Sequence, residues 1–544
     1  MLSVMEKTVN KVTIDVVSSD VLIIIFDYLN ADDLKNALLV CKNWYEVIVS
    51  YASTMSKLPL VFKHWIVDGK PERNDILNFN RNFHTIIVSN TKFNDALVEN
   101  IVRHCGRTQY FLMKRVIMTQ DQFTEIYNSM KFCKNLTIRK SSAIGDLSLT
   151  PSGPTFLKTL TLKASDWDFM EILTASGVQV NELKIMDSFD IPFLAPLGTE
   201  VFENFLTSQT RLEVLVFYVE HSEMFQFINN YNPHNHLKKL AVYCFGAGRN
   251  FVKQFLMLLK AHKSALEELE IDHILNDDIL RFIINEMKLK RLKTCYGHVS
   301  QWFCSEPDVD QDNIHLKSLD YIFHRYYDVR DDFVEMGLVK YFPAIEKLTL
   351  CCPRRDVEQC LTFVAQNCIW LNHLEIFRFY NFMSELTFPC LQTLCIQEIG
   401  NVIEYNWKSF FLNNYTIKNL QLGKVSASNV GLLTFQSEDH LIMRMPIDLK
   451  YLKFQIQFQL TWDILERMCL TFPNLEELIL LYNEGKFNQN HIINFTNFKI
   501  TCHKWSKSKS FCKRKVSIFL PEIEDGSDED SKECEDLQKR RRMW

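Results

Sequence analysis

The sequence predicts an α/β protein in which a short all-helical module is followed by a curved solenoid, its parallel sheet inside and its helices outside. Three observations carry the prediction. Residues 17–29 place apolar side chains at helical spacing. From residue 56 onward a pattern approximating LxxLxL returns about every 26 residues. Amphipathic segments of helical length lie between the returns, so each unit is one strand, a turn and one helix. Such a unit cannot bury its apolar face alone, and stacking units makes one continuous core. The chain therefore divides into a polar lead at 1–15, the helical module at 16–55, the repeat array with cap strands at 56–520, and a tail at 521–544 whose charge density predicts disorder.

In the module, Leu22, Ile25, Phe26 and Leu29 fall at i, i+3, i+4 and i+7, one face of a helix. Ser18 or Ser19 is suited to cap it and Asp20 to sit in its first turn. A second helix is expected from Asp32 or Asp33, carrying Leu34, Leu38, Cys41 and Trp44 or Tyr45 and continuing through Val47 and Ile48 to about Met55. The apolar run Val21 to Phe26 makes the first helix apolar on more than one side. So short a segment seldom supports its own core, and part of this surface is expected to be an interface, or else a helical cap on the domain that follows.

The order Asp-Val-Leu at 20–22, Ile-Phe-x-Tyr-Leu at 25–29, Asp-Leu at 33–34 and Val-Cys-Lys-x-Trp at 40–44 resembles the F-box, the module that docks on the Skp-type adaptor of cullin-RING ubiquitin ligases. Where that family usually opens Leu-Pro-x-Glu, this chain has Val17-Ser18-Ser19-Asp20, so the pre-set turn of a proline is absent and serine capping has to replace it. The resemblance implies a Skp-type adaptor and, through it, a cullin-RING ligase as partners. It places Val17, Leu22, Ile25, Phe26, Leu29, Leu34, Val40, Cys41 and Trp44 in the adaptor interface, with some of them packing inside the module instead.

Pro59 interrupts the helical pattern, and Leu60 and Phe62 look like a first strand. The central repeat position is then read at Ile86, Leu112, Leu136 and Leu160, at Leu269, Cys295 and Leu319 midway, and on to Leu478. Helices are expected at 169–175, 251–262, 277–287, 357–366 and 462–469. The array resembles the leucine-rich repeats of many F-box proteins, whose units run roughly 20 to 29 residues. It departs from them in mostly lacking the Asn or Cys after LxL. Thr91, Ser141, Ser165 and Ser188 hold that place and are able to bond neighbouring backbone, with Asn483 the clear exception. Three intervals are long, 183–215, 240–269 and 420–452, and the first, with Pro192 and Pro196, and the last, with 426–445, suggest protruding loops. Cap strands are expected at 495–500 and 516–520.

Composition narrows the function classes. Of 544 residues, 47% are hydrophobic, 12% aromatic and 23% charged, which suits a packed core rather than general disorder. A net charge of −5 argues against a general nucleic-acid surface. The 16 cysteines are scattered through apolar segments without a CxxC pair, as reduced core thiols would be. Residues 1–30 hold no cationic leader and no run is long enough to span a membrane, so a cytosolic or nuclear protein is expected.

Phe245-Gly-Ala-Gly-Arg249 lacks the glycines of a phosphate loop and reads as a turn. His234 and His236, and the group Cys360, Cys368 and His373, match no common zinc spacing. No catalytic signature is present, and no cofactor is expected, which points to a non-catalytic receptor. Lys507 to Lys515 and Lys539 to Arg542 are basic runs that admit a nuclear or nucleic-acid role, or simply a solvated end; Ser527 stands in an acidic setting.

Strand alternation suggests where a target binds. Residues flanking the central position point away from the core: Val214, Val216 and Tyr218; Lys239, Ala241 and Tyr243; Glu268, Glu270 and Asp272; and farther on Ile322, Cys351 and Phe377. Their exposure would be unusual on an inert surface, although solvated decoration is the alternative. The expected target segment has an apolar or aromatic anchor beside Lys or Arg, held by Tyr218 and Tyr243 and oriented by the acids. Two rivals to a ligase receptor are a repeat scaffold with no role in ubiquitin transfer and an adaptor that uses the basic end.

Overall fold

A computed structural model of the chain describes residues 17–63, 66–67, 70–71, 83–163, 168–186, 196–219, 237–244, 249–274, 277–295, 314–322, 339, 341–351, 357–379, 385–399, 404–425, 448–456, 462–482 and 499–504. The lead, residues 187–195, 245–248 and 426–447 of the three long intervals, residues 495–498, the expected strand at 516–520, both basic runs, Ser527, Asn483, His234, His236, Ser165 and Ser188 lie outside them. The chain divides into two compact units, Met1–Leu266 and Glu267–Trp544.

The first unit opens with four helices, α1 Ser19–Tyr28, α2 Ala31–Ala37, α3 Lys42–Ser50 and α4 Ala52–Lys57. The single second helix expected from Asp32 to Met55 is therefore three. Its breaks fall at Leu38–Cys41 and at Tyr51, where Cys41 and Tyr51 take extended backbone. Asn30, not Asp32 or Asp33, caps α2, its side-chain oxygen accepting from the N–H groups of both. Ser18 occupies the cap position of α1 without a side-chain cap bond, and its carbonyl accepts from Leu22 N–H at 3.0 Å.

There follow β1 Leu60–Lys63, β2 Ile66–Val67, β3 Lys70–Pro71, β4 Thr85–Lys92, α5 Asp95–Cys105, β5 Tyr110–Thr119, α6 Gln120–Ser129, β6 Asn135–Arg139, β7 Ser142–Ile144 and β8 Phe156–Lys163. Next come α7 Asp168–Ala175, β9 Gln179–Met186, α8 Pro196–Ser208, β10 Val214–Val219, β11 Lys239–Cys244 and α9 Arg249–His262. Pro196, expected in a loop, opens a helix, where its missing N–H costs nothing. Strands β1, β4, β5, β6, β8, β9, β10 and β11 pair in that order, all parallel, and β2 and β3 form a separate antiparallel pair.

One register row runs through Leu60, Ile86, Phe111, Leu136, Leu160, Leu183, Leu215 and Leu240, every one buried. The second repeat is thus centred on Phe111 and not on Leu112. In Tyr-Phe-Leu-Met both phases of the alternation are apolar, so period alone does not fix the register.

The place after the strand is built by a repeated backbone turn. Asn90, Arg115 and Lys140 carry φ of 51°, 53° and 47°, a left-handed conformation rare outside glycine. Polar residues follow two of them and satisfy the turn. Ser141 Oγ donates to the Arg139 carbonyl at 2.9 Å and accepts from Val116 N–H at 3.2 Å, while Thr91 Oγ1 donates to the Ser89 carbonyl at 3.0 Å. Thr91 and Ser141 thus do what the sequence expects of that position.

The second unit contains β12 Glu268–Ile274, α10 Asp277–Glu286, β13 Arg291–Cys295, β14 Ser318–Ile322, β15 Lys347–Cys351, α11 Val357–Asn367, β16 His373–Phe379 and β17 Thr393–Ile399. It continues with α12 Glu404–Asn413, β18 Asn419–Val425, β19 Tyr451–Ile456, α13 Trp462–Thr471, β20 Glu477–Tyr482 and β21 Lys499–Lys504. Strands β12 to β21 pair consecutively and in parallel. Their inner row is Leu269, Leu292, Leu319, Leu348, Leu374, Leu394, Leu420, Leu452, Leu478 and Ile500. The repeat at β13, expected to centre on Cys295, is centred on Leu292, because Leu289-Lys-Arg-Leu292 opens that unit. No helix among the described residues is long and apolar enough to cross a membrane.

Candidate functional site

Helix α1 carries two apolar stripes. Leu22 and Phe26, one turn apart, are buried with Leu34, Ala37, Val47 and Ile48 into the core of the module, and Val17, Ile23, Leu29, Leu38, Trp44 and Leu58 pack against it. Phe26 is 0% exposed, and the Trp44 ring meets its edge at 5.2 Å between centroids. Thr54, buried where α3 meets α4, donates to the Ile48 carbonyl at 2.7 Å. Lys57 donates to the Asp27 carbonyl and lies 3.8 Å from its carboxylate, fastening α4 to the end of α1. The module also joins the first repeats, since His84 N–H donates to the Ser56 carbonyl at 3.2 Å.

The second stripe points outward. Val21, Ile24, Ile25 and Tyr28 fall at i, i+3, i+4 and i+7, and all are exposed, Ile24 to 59% and Tyr28 to 87%. Leu39, exposed to 85%, and Val40 follow in the turn after α2, and Tyr45 is exposed on α3. No charged side chain interrupts the α1 stripe. An apolar surface of this kind is what a binding partner covers.

The sequence-expected interface residues therefore separate into two groups. Leu22, Phe26 and Leu34 are core, and Leu29 and Trp44 pack on that core. Val17 and Cys41 are half-buried. Ile25 and Val40 remain outward. Spacing identified the inner stripe because it is the more regular one, and a regular stripe is what a small core requires. Val21, Ile24, Tyr28, Leu39 and Tyr45 were missed, although the first three show the same spacing once a second phase is looked for.

On the strand face, those residues expected to hold a target whose side chains are described are closed, paired or half-buried. Tyr243 is 7% exposed and Phe377 6%, so neither offers the contact area expected of it. Tyr218, Asp272, Ile322 and Cys351 lie in strands, but their side chains are outside the description. Glu268 and Glu270 are half-buried, and Glu270 is ion-paired with Lys293 of the next strand. Farther along, Arg291 donates to Asp320 at 2.8 Å, and the Gln397 amide donates to Glu375. Register explains the pairing: Glu270, Lys293, Asp320, Thr349 and Glu375 stand side by side on five adjacent strands, with signs that largely alternate.

Burial works to raise the Asp320 carboxyl. The Thr349 hydroxyl beside it, short of full hydrogen-bond geometry, together with the Arg291 guanidinium and Lys347, outweighs burial and holds it below the ordinary carboxylate value.

Three of the described cysteines are buried thiols held in the protonated form. Burial pushes Cys105, Cys133 and Cys368 up to about 12, as expected of core cysteines rather than ligands or nucleophiles. Among the described residues no group of three or more His, Cys, Asp or Glu side chains is placed to hold a metal. The side chain of Cys360 lies outside the described residues.

Residues 19–53 match the family described as F-box-like, a span that covers α1 to α3 and enters α4. No curated protein matches the chain. Among solved structures, the mouse RP105/MD-1 complex is similar at 10% identity over 82% of this chain and 80% of that chain, with a TM-score of 0.40. The yeast Rad7 and Elc1 complex is similar at 10% identity over 89% and 92%, with a TM-score of 0.27. Residues 19–53 thus form a helical module that matches the F-box-like family, and parallel strand and helix units with buried leucine rows follow it.

Proposed function

We propose that the chain is the non-catalytic substrate-recognition subunit of a cullin-RING ubiquitin ligase. In this reading the outward stripe of α1, with Leu39, Val40 and Tyr45, binds a Skp-type adaptor. The strand faces of the repeats hold a target protein, whose lysines thereby come within reach of a ubiquitin-loaded enzyme.

The observation that supports it is the uncovered second stripe of α1 in a segment matching the F-box-like family. Magnitudes agree. Burying a side chain of leucine or isoleucine size contributes roughly 1.5 to 3 kcal/mol. Covering Val21, Ile24, Ile25 and Leu39 together is then of the order needed to offset association, which costs about 4 to 15 kcal/mol.

The test is capture of purified Skp-type adaptor by the full chain, compared with a chain lacking residues 1–53. Capture by the first and not the second supports the reading. Failure of the full, folded chain to bind adaptor reduces it to a repeat scaffold.

A further inference from the structure

The first unit presents a strand face unlike that of the second. Its register sets Lys63, Ser89, Lys114, Arg139 and Lys163 in one row across β1, β4, β5, β6 and β8. Adjacent strands lie about 4.8 Å apart, so the three cations on β5, β6 and β8 are neighbours. Arg115 and Lys140, in the left-handed turns that end their strands, add two exposed cations.

A second row on the same face, two residues earlier, begins Val61, Ile87 and Leu112, and Tyr110 stands beside it on β5. Val61 is 47% exposed and Tyr110 53%. No acidic residue occupies any paired position of these five strands. The first acid on this face is Glu182 of β9, and it is already engaged, by Lys184 at 2.9 Å and Thr159 at 2.8 Å. Arg139 Nε is buried and has no hydrogen-bond partner among the described residues.

An apolar strip beside a row of cations without interleaved acids is complementary to one kind of chain. We infer that this face, over β1, β4, β5, β6 and β8, docks an extended peptide segment of the target that carries an apolar side chain flanked by acidic residues. The inference rests on the reading of the repeats as target-binding. It reverses the sign of charge expected from the sequence, because Glu268 and Glu270 belong to the second unit, where Glu270 has its own lysine. The apolar strip supplies the anchor, and the cation row fixes its direction by charge-assisted hydrogen bonds.

The test is fluorescence anisotropy of the full chain with three labelled probes: a peptide with a Leu-Phe centre flanked by Glu, the same peptide with Lys for Glu, and a single-stranded RNA of equal length. The Glu-flanked peptide is expected to bind at least about tenfold more tightly than the Lys-flanked one, and added salt should narrow that gap. Lys114→Glu with Arg139→Glu should abolish the preference, and Val61→Ser with Leu112→Ser should weaken both peptides. Should the double charge reversal not fold, Lys63→Glu at the exposed end of β1 must reduce the preference in the same direction.

Equal binding of the two peptides, an unchanged preference in the folded charge variant, or tighter binding of the RNA overturns the inference. Adaptor capture by the same samples keeps the two readings apart. Loss of peptide preference with adaptor retained refutes this face alone, and loss of adaptor with peptide preference retained refutes the ligase role alone.

Discussion

The helical module and the strand face of the second unit use their outward side chains in opposite ways. On α1 the outward residues Val21, Ile24, Ile25 and Tyr28 are apolar and lie open. On β12 to β16 the outward residues Glu270, Lys293, Asp320 and Glu375 are polar and already engaged, Glu270 with Lys293, Asp320 with Arg291 and Glu375 with Gln397. The first surface gains by acquiring a partner, since its apolar area is in water. The second loses by acquiring one, because any ligand would have to replace contacts the strands already make. Accessibility to a partner is thus not the same thing as facing outward.

That contrast can be broken at several points. The largest effect is expected from Phe26→Ala, at the centre of the module core, which should cost about 3 to 5 kcal/mol and abolish adaptor binding by unfolding the module. A calorimetric or denaturant measurement showing a change below about 1 kcal/mol would mean that the inner stripe is not the core.

Asp320→Ala should cost about 1 kcal/mol, because it removes a buried carboxylate that accepts from Arg291, whose own guanidinium is partly exposed and screened by water. The sign of its pH dependence follows from the lowered carboxyl. Asp320 contributes fully above its ordinary value of 3.8, and the difference between the two proteins should shrink as the pH falls below it. A difference that grows on acidification would contradict the pairing. The smallest effect is expected from Lys114→Ala in the first unit, within about 0.5 kcal/mol, since its register neighbours among the described residues are Ser89 and Arg139 and neither is acidic. A cost equal to that of Asp320→Ala would erase the distinction between the two strand faces.

Much of the architecture is legible in the residues themselves. The helix expected at 277–287 is Asp277–Glu286, and that expected at 357–366 is Val357–Asn367, because amphipathic period and repeat spacing agree there. Legibility fails where two phases are apolar together. The run Val21 to Phe26 supports both stripes of α1, so spacing alone does not tell the core stripe from the outward one, and Tyr110 to Met113 hides the centre of the second repeat at Phe111. It fails again where a property belongs to several repeats at once. Arg291 and Asp320 meet only because β13 and β14 pair in one register, and Lys114, Arg139 and Lys163 form a row for the same reason. A single strand, taken alone, shows an unremarkable charged residue at each place.

The most direct test of the account is a titration of purified Skp-type adaptor against the full chain and its Ile24→Asp, Tyr28→Asp double variant. Both residues are exposed, so the variant should melt as the wild type does, while burying two unpaired carboxylates against the adaptor is costly. The expected result is a loss of adaptor affinity of at least about a hundredfold, or roughly 3 kcal/mol, with the fold intact. Wild-type affinity in the folded variant would contradict the assignment of the outward stripe of α1 as the adaptor interface.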